Sequence, residues 1–290
     1  MKKILLASAA SFAFAGAAAA DITFSGSANV GFGELNDDST GGALNGATGA
    51  QMYQNISLTT TMSGETDTGL AFGASITFRN GDDIDLDAGD LDYDGDLSTA
   101  SFGNVFISGD WGKLTFDRNG LDNLWNDDFS HDIQYDYSFD AFSFSLTYDI
   151  DGSGDSEEWS AKIAYAADAF SASLATDNSG EYDITLGYQI TSEIKVSLTN
   201  ESDTGENTLK GVYDDGTFNA SLAISDTDSE WDLGLGYTAN GIAIAANYGD
   251  QDTGDESWDL SASYDLGGGL TVKAMTNESD AYYVGLAMSF

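Results

Sequence analysis

Residues 280–290 read DAYYVGLAMSF and end the chain in a two-residue rhythm. Every second residue counted back from the carboxyl terminus is apolar or aromatic: Phe290, Met288, Leu286, Val284 and Tyr282. The residues between these positions are mostly small or polar. Because successive side chains of a β-strand point to opposite faces, this alternation predicts a final strand with one apolar face.

The same rhythm fills most of the chain. Clear examples are AFSFSLTYDI at 141–150, EYDITLGYQI at 181–190, SEWDLGLGYT at 229–238 and ESWDLSASYDL at 256–266. A segment of roughly 9–11 residues is the length that a tilted strand needs to cross a membrane. Counting the segments directly gives about 18 strands, so the sequence predicts an all-β fold.

The breaks between the segments alternate between two kinds, as in an antiparallel meander. Short, tight breaks occur at 167–169, 191–193, 214–216, 239–241 and 266–269. Acidic breaks rich in glycine and serine occur at 151–158, 203–207 and 249–256. We therefore expect tight turns at one end of the sheet and polar loops at the other.

The composition agrees with a chain that is nearly all paired strand. It contains no proline, which cannot donate a hydrogen bond within a sheet, and no cysteine, which excludes disulfides. Its 49 acidic and 9 basic residues give a formal net charge of −40, which would repel nucleic acid. Acidic chains can be disordered, but a hydrophobic share of 41% favours an ordered fold here.

The amino terminus has the pattern of a secretory signal peptide. A basic start precedes a short apolar stretch and a run of alanines that ends at Ala20. We expect a leader over 1–20, removed after Ala20, and one exported domain over 21–290. Loss of Lys2 and Lys3 lowers the net charge from −40 to −42. A membrane anchor is the alternative, but no stop-transfer pattern follows.

The number of strands indicates how the meander closes. A propeller or a calcium-binding β-helix would show a repeat, and the sequence has none. A closed barrel of so many strands has a lumen too wide for side chains to fill, so its interior is wet. Its apolar face then points outward into lipid. The sequence predicts an antiparallel, up-and-down transmembrane β-barrel of the outer-membrane type, with a soluble sandwich as the alternative.

The positions of the basic residues support this orientation. A lysine that faces lipid at the bilayer midplane costs about 2–4 kcal/mol. Six basic residues share the polar parity of their strands: Arg79, Lys113, Lys162, Lys195, Lys210 and Lys273. Arg118 has the opposite parity, at a point where a strand is expected to give way to a loop.

Aromatic residues on the apolar parity recur at a fixed separation. Four pairs lie six residues apart: Trp159 and Tyr165, Tyr182 and Tyr188, Trp231 and Tyr237, Trp258 and Tyr264. Six strand residues span about 20 Å. This spacing predicts two interfacial girdles around a lipid band of about 25 Å.

Several stretches resemble the general porins of alphaproteobacteria. They are the leader MKKILLASAA and the segments TMSGETDTGLAFGASITF at 61–78, VFISGDWGKLTF at 105–116 and SYDLGGGL at 263–270. The resemblance implies a 16-stranded barrel, where the direct count is nearer 18. It also implies an outer-membrane homotrimer in contact with lipid and lipopolysaccharide, without cofactors, through which small hydrophilic solutes diffuse passively.

The end of the chain also resembles a known feature of that family. A barrel has no free edge only if its last strand pairs with its first, DITFSGSANVGF at 21–32. The alternating residues from Tyr282 to Phe290 resemble the carboxyl-terminal signal by which the barrel-assembly machinery recognises such proteins. We therefore expect Tyr282, Val284, Leu286, Met288 and Phe290 to serve as an insertion signal.

A constriction loop after the fifth strand is implied as well, at about 118–132. Its candidate pore-lining residues are Arg118, Asp122, Asp127, Asp128 and Asp132. The candidate basic residues on the facing wall are Arg79, Lys113, Lys162 and Lys195. The spacing of Leu121, Leu124 and Trp125 predicts a short helical turn that pins the loop to the wall. The alternative is that these aspartates are merely solvated.

Two other motifs suggest chemistry only weakly. Asp90, Asp92 and Asp94 begin like a calcium-binding loop, but its twelfth position is Ser101 rather than glutamate. We expect a solvated extracellular loop over 81–98, with loose divalent-ion binding as the alternative. Ser130 and His131 are adjacent, so on a strand they point to opposite faces and make a poor catalytic pair.

These observations leave three functional classes, none of them enzymatic. The first is a general diffusion channel, which the negative charge predicts to prefer cations. The second is a substrate-specific channel, which would show an aromatic stripe or a basic cluster on the lumen parity. The third is a structural or adhesive barrel with a closed lumen, which would need long loops or a plug. The sequence favours the first.

Overall fold

The structure, a computed structural model, describes residues 21–37, 49–89, 91–125, 130–150, 158–227, 230–251 and 255–290. The expected leader over 1–20 lies outside these residues. Within the described ranges, no helix is long and apolar enough to cross a membrane. The strands of the described residues are β1 Asp21–Glu34, β2 Asn36–Asp37, β3 Gln51–Glu65, β4 Ala71–Ile84, β5 Asp92–Gly109, β6 Gly112–Asp122, β7 Ser130–Phe139, β8 Phe142–Tyr148, β9 Trp159–Ala167, β10 Phe170–Asp177, β11 Tyr182–Gln189, β12 Ile194–Glu201, β13 Asn207–Asp214, β14 Phe218–Ser225, β15 Trp231–Ala239, β16 Ile242–Gln251, β17 Asp255–Gly267, β18 Leu270–Asn277 and β19 Tyr282–Ser289.

All strands except β2 form one closed antiparallel barrel. Each pairs with its neighbours in the chain, and β19 pairs with β1 from Ser27↔Ser289 to Glu34↔Tyr282. Phe290 extends this seam, because its N–H donates to the Gly26 carbonyl at 3.0 Å and its carbonyl accepts from the Gly26 N–H at 2.7 Å. The predicted pairing of the last strand with the first is therefore confirmed, and the soluble sandwich is excluded.

The barrel wall contains eighteen strands, because β2 is a two-residue segment that pairs in parallel with β5. The direct count is confirmed, and the sixteen strands implied by the family resemblance are two too few. The higher number includes β6 and β13, which look short in the sequence. Both are hydrogen-bonded to a neighbour on each side, so they are wall strands rather than loop segments.

The apolar parity faces outward, as predicted. Phe144, Leu186 and Leu235 are exposed on the outer wall. The girdle aromatics continue across neighbouring strands: Tyr165 lies 4.9 Å from Phe142 between ring centroids, and Trp231 lies 5.4 Å from Tyr248. Aromatic rings at these distances stabilise adjacent strands beyond the area they bury.

Tight turns lie at one end of the barrel and acidic loops at the other. The turn between β15 and β16 is Asn240–Gly241, where both residues have positive φ, 53° and 80°. Such a two-residue turn matches the twist of the flanking strands and requires residues that tolerate the left-handed region. Phe290 lies at this turn end. The opposite end carries the acidic loops, of which 151–157 lie outside the described residues.

One joint of the wall is incomplete. β5 and β6 pair only from Gly109↔Gly112 to Val105↔Phe116, whereas β4 pairs with β5 up to Tyr93. Beyond Phe116, β6 bulges before it resumes pairing with β7 at Leu121↔His131, and Asn119 within the bulge has a φ of 51°. A bulge bends its strand away from the neighbour. Residues 94–104 of β5 consequently have no partner on the β6 side within the described residues.

Candidate functional site in the barrel lumen

The inward parity of the wall is polar. Hydroxyl and amide side chains hydrogen-bond across strands, as in Thr59–Thr77 at 2.9 Å, Thr185–Thr199 at 3.2 Å and Asn29–Asn55 at 3.0 Å. These ladders satisfy the side chains while leaving them able to contact water. The lumen is therefore lined by hydrophilic groups around its circumference.

The four candidate basic residues lie on this inward parity but on different sides of the barrel. Arg79 is on β4 opposite Ser57, and Lys113 is on β6 opposite Asp136. Lys162 is on β9 between Ser145 and Ala175, and Lys195 is the second residue of β12, opposite Gln189. The structure does not bring them together. Lys113 and Lys195 lie close to the turn end, far from the acidic loops.

The loop after β6 runs inward along the wall. The Leu124 N–H donates to Ser160 Oγ on β9 at 2.8 Å, and Trp125 Nε1 donates to Asp183 Oδ1 on β11 at 3.0 Å. Asn123 is 1% exposed. Because β6 is the fifth strand of the wall, this is the position that the resemblance implies for a constriction loop. β6 continues to Asp122 and β7 begins at Ser130, so the expected loop over 118–132 overlaps the ends of both strands.

The described residues of this loop form a bend where the sequence predicted a helical turn. Asn123 Oδ1 accepts from the Trp125 N–H at 2.8 Å, which makes a side-chain-capped bend instead. Leu121 is still part of β6, where it pairs with His131. Trp125 does attach the loop to the wall, but it does so by a hydrogen bond from its indole.

The candidate pore-lining residues of the loop are dispersed. Asp122 ends β6 opposite Ser130 and is exposed. Asp132 is on β7, where its carboxylate accepts from the N–H groups of Asn119 and Ile150, both at 3.0 Å. It thus holds the β6 bulge against the end of β8. Asp127 and Asp128 lie outside the described residues.

Arg118 is not in the loop, which corrects the expectation from the sequence. It lies within β6, because that strand continues through its bulge to Asp122. Together with Phe102 and Val105 it lines a groove of about 650 Å³ at the incomplete β5–β6 joint. Phe102 and Val105 are exposed on the outer wall. Arg118 therefore lies at the incomplete β5–β6 joint.

A second loop folds into the lumen, and the sequence pattern did not predict it. The acidic run 81–98 is not one solvated loop: β4 continues to Ile84, β5 starts at Asp92, and Leu91 is fully buried. Leu91 belongs to an apolar cluster inside the extracellular end of the barrel. The cluster consists of Leu35, Tyr53, Leu91, Tyr93, Ala281 and Tyr283, packed against Ile84, Leu86 and Met275.

The position of this loop bears on the weak metal motif. Asp90 lies outside the described residues, whereas Asp92 and Asp94 lie on β5, whose extended backbone cannot curl around an ion. Asp92 is 8% exposed and pairs with Asn36. Among the described residues, no group of three or more His, Cys, Asp or Glu could hold a metal.

The remaining motifs are placed as follows. Tyr282, Val284, Leu286 and Met288 follow the outward parity of β19, and Phe290 closes the seam with Gly26.

Ser130 is exposed on the first position of β7, while His131 is fully buried beside it. Adjacent strand residues point to opposite faces, so the two side chains diverge.

Comparisons with known proteins agree with this architecture. The sequence matches the family model of Gram-negative porins over residues 7–282. No curated protein matches it significantly. A mutant of the Rhodopseudomonas blastica porin superposes with a TM-score of 0.55 at 14% identity, covering 93% of this chain and 100% of that one.

Two further mutants of the same porin give a TM-score of 0.54 each. A triple mutant is 15% identical, and a mutant with five substitutions is 17% identical. Both alignments cover 93% of this chain and 100% of the other. At such identities the likeness concerns the fold. Together with the family match over most of its length, it establishes that the chain belongs to the Gram-negative porin family.

Proposed function

We propose that the protein forms a water-filled channel through which small hydrophilic solutes and ions diffuse passively. The observation that carries this proposal is the closed barrel of eighteen strands with a polar inner wall and an apolar outer wall. Such a wall is stable only in lipid, and a lumen of this strand number holds water. The porin family and the barrel fold support an outer-membrane location.

The channel is proposed to prefer cations. The chain carries 49 acidic and 9 basic residues, and carboxylates line the inward face near the extracellular end. Examples on adjoining strands are Asp183 and Glu201, which are paired across β11 and β12. A pore lined by one sign of charge concentrates ions of the opposite sign.

Planar-bilayer recording of the purified mature protein tests both statements. We expect stepwise ohmic conductance and a reversal potential of the cation-selective sign in a dilute KCl gradient. An anion-selective sign would contradict the charge preference. Conductance that saturates with one solute would favour a substrate-specific channel, and absence of current would favour a structural barrel.

Further parts of the proposal come from the resemblance. We propose a leader cleaved after Ala20, a homotrimer surrounded by lipid and lipopolysaccharide, and insertion by the barrel-assembly machinery through the segment that ends at Phe290. Mass spectrometry of the exported protein checks the cleavage site. Conductance steps in groups of three check the trimer. We propose no catalytic activity and no cofactor.

A further inference from the structure

Two loops contact the inner wall of the barrel at the same position along the barrel axis. Adjacent strand residues point to opposite faces but lie only about 3.3 Å apart along the strand. An outward aromatic residue of the girdle therefore shows where its inward neighbour lies along the barrel axis. The loop after β6 contacts Ser160 and Asp183, which follow Trp159 and Tyr182. The loop 85–91, of which 85–89 and Leu91 are described, approaches Asp259 through Gly89, and Asp259 follows Trp258. Each contact therefore lies at the extracellular girdle.

The loop 85–91 is attached firmly across one sector of the wall. Leu91 and Tyr283 are both fully buried, which places the loop against β19. Gly89 lies between two carboxylates: a Cβ built on it would be 3.8 Å from Asp259 Oδ2 and 3.9 Å from Asp87 Oδ1. The loop thus reaches from its own strands, β4 and β5, to β17, and the wall between them is the first sector that a loop spans.

The loop after β6 covers a second sector. Its contacts with Ser160 and Asp183 carry it from β6 and β7 to β9 and β11. Among the described residues, β12 to β16 lie outside the two sectors that these loops span. Those strands bound the passage that the two loops leave open.

The wall of this passage is acidic at the height of the loops. Glu201 ends β12, and Asp232 follows the girdle residue Trp231 on β15. Glu206 and Glu230 line the same stretch of wall together with Asp232. The lysines of these strands, Lys195 and Lys210, lie nearer the turn end, opposite Val212 and Ser197.

We propose that the loop 85–91 is a second constriction element, which confines permeation to the passage along β12 to β16. In this arrangement Glu201 and Asp232 determine the ion preference, and carboxylates on the covered sector contribute little. The inference rests on the proposed channel function and specifies where in the lumen that function is performed.

Charge-neutral variants test the residues that determine selectivity. Asp232→Asn combined with Glu201→Gln should lower the cation-to-anion permeability ratio in 0.1 M KCl by about twofold or more, since the Debye length there is about 10 Å. The matched control for the single change Asp232→Asn is Asp83→Asn, because Asp83 is also an inward carboxylate near the extracellular end but lies on β4, one of the two strands that the loop connects. The control should keep the wild-type ratio. Equal effects of the two changes would overturn the proposal.

Disulfide trapping tests the position of the loop, and the chain has no native cysteine to interfere. Gly89→Cys with Asp259→Cys should cross-link under mild oxidation, and reduction should leave the conductance of that variant unchanged. The control pair, Gly89→Cys with Asp232→Cys, spans the passage and should not cross-link. Failure of the first pair, ready cross-linking of the control, or a large fall in conductance on oxidation would contradict the inference.

These outcomes separate the two proposals. If the wild-type protein carries no current, the channel function fails, while the cross-link still reports where the loop lies. If current flows but the Gly89–Asp259 pair does not cross-link, the channel function stands and the second constriction element is rejected.

Discussion

At the scale of single residues, the barrel seam depends on glycine. Gly31 and Gly285 pair across β1 and β19, and the Tyr283 ring lies over both on the inward face. A Cβ built on Gly31 would lie 2.6 Å from Tyr283 Cε2, closer than real side chains pack. The two glycines therefore leave the space that the aromatic ring of the last strand occupies.

Gly31→Ala should consequently destabilise the barrel. Overpacking of this kind typically costs about 1–3 kcal/mol. We expect a lower unfolding temperature in the gel-shift assay for folded barrels. The control is Gly211→Ala on β13, where a Cβ would meet no atom within 4 Å. A variant at Gly31 as stable as the control would contradict the seam argument.

Asp215 shows how a turn depends on ionisation. Its Oδ1 accepts from the N–H groups of Phe218 at 2.8 Å and Thr217 at 2.9 Å, and these hydrogen bonds lower the pKa of its carboxyl below 3.8. Because the pKa is lowered in the folded state, the ionised carboxylate stabilises the folded turn fully above pH 3.8. This stabilisation is lost as the pH falls through the lowered pKa. NMR titration should give a pKa under 3.8, and a value at or above it would refute the capping role.

At the scale of elements, strands could be predicted from the sequence and inserted loops could not. The face that a strand residue occupies can be predicted from its immediate neighbours in the sequence. Phe144 and Ser145, for example, alternate between the apolar and the polar face. The contact of Leu91 with Tyr53 and Tyr283 joins residues far apart in the chain. The only local signal was that Ile84, Leu86 and Leu91 are apolar within a run of aspartates, which a solvated loop does not require.

Leu91→Asn should release the loop from its apolar cluster. Keeping the loop in place would bury an amide without a partner, and the loss of a buried leucine costs about 2–5 kcal/mol in comparable sites, so the loop should detach locally while the barrel stays folded. Because the barrel ladders are untouched, we expect an unchanged unfolding temperature and a larger or noisier single-channel conductance. Leu91→Met keeps the apolar volume and should behave as wild type. Identical recordings from both variants would show that the loop does not restrict the pore.

At the scale of the whole molecule, sequence patterns indicated closure, orientation and strand number. The resemblance implied sixteen strands, and the direct count was nearer because β6 and β13 each pair on both sides. The path of the loop after β6 was only partly predictable. A loop was expected after the fifth wall strand and one follows β6, but the hydrogen bond from Trp125 to Asp183 joins it to a strand that comes much later in the chain.

The net charge makes a prediction for the intact channel. The Debye length falls from about 10 Å at 0.1 M salt to about 3 Å at 1 M, so the fixed charges are screened within the lumen. The cation-to-anion permeability ratio should therefore decline steadily as the mean KCl concentration rises between these values. A ratio independent of salt would mean that selectivity arises from direct coordination at a narrow site.

The short ladder between β5 and β6 has a mechanical consequence. Five residue pairs join these strands, whereas eight join β1 to β19 before the two hydrogen bonds of Phe290 are added. The barrel should therefore unfold first between β5 and β6, and the pairing of β1 with β19 should persist longer. Hydrogen–deuterium exchange during denaturation should thus label 97–104 before 284–290. The opposite order of labelling would show that the pairing between β1 and β19 is lost first.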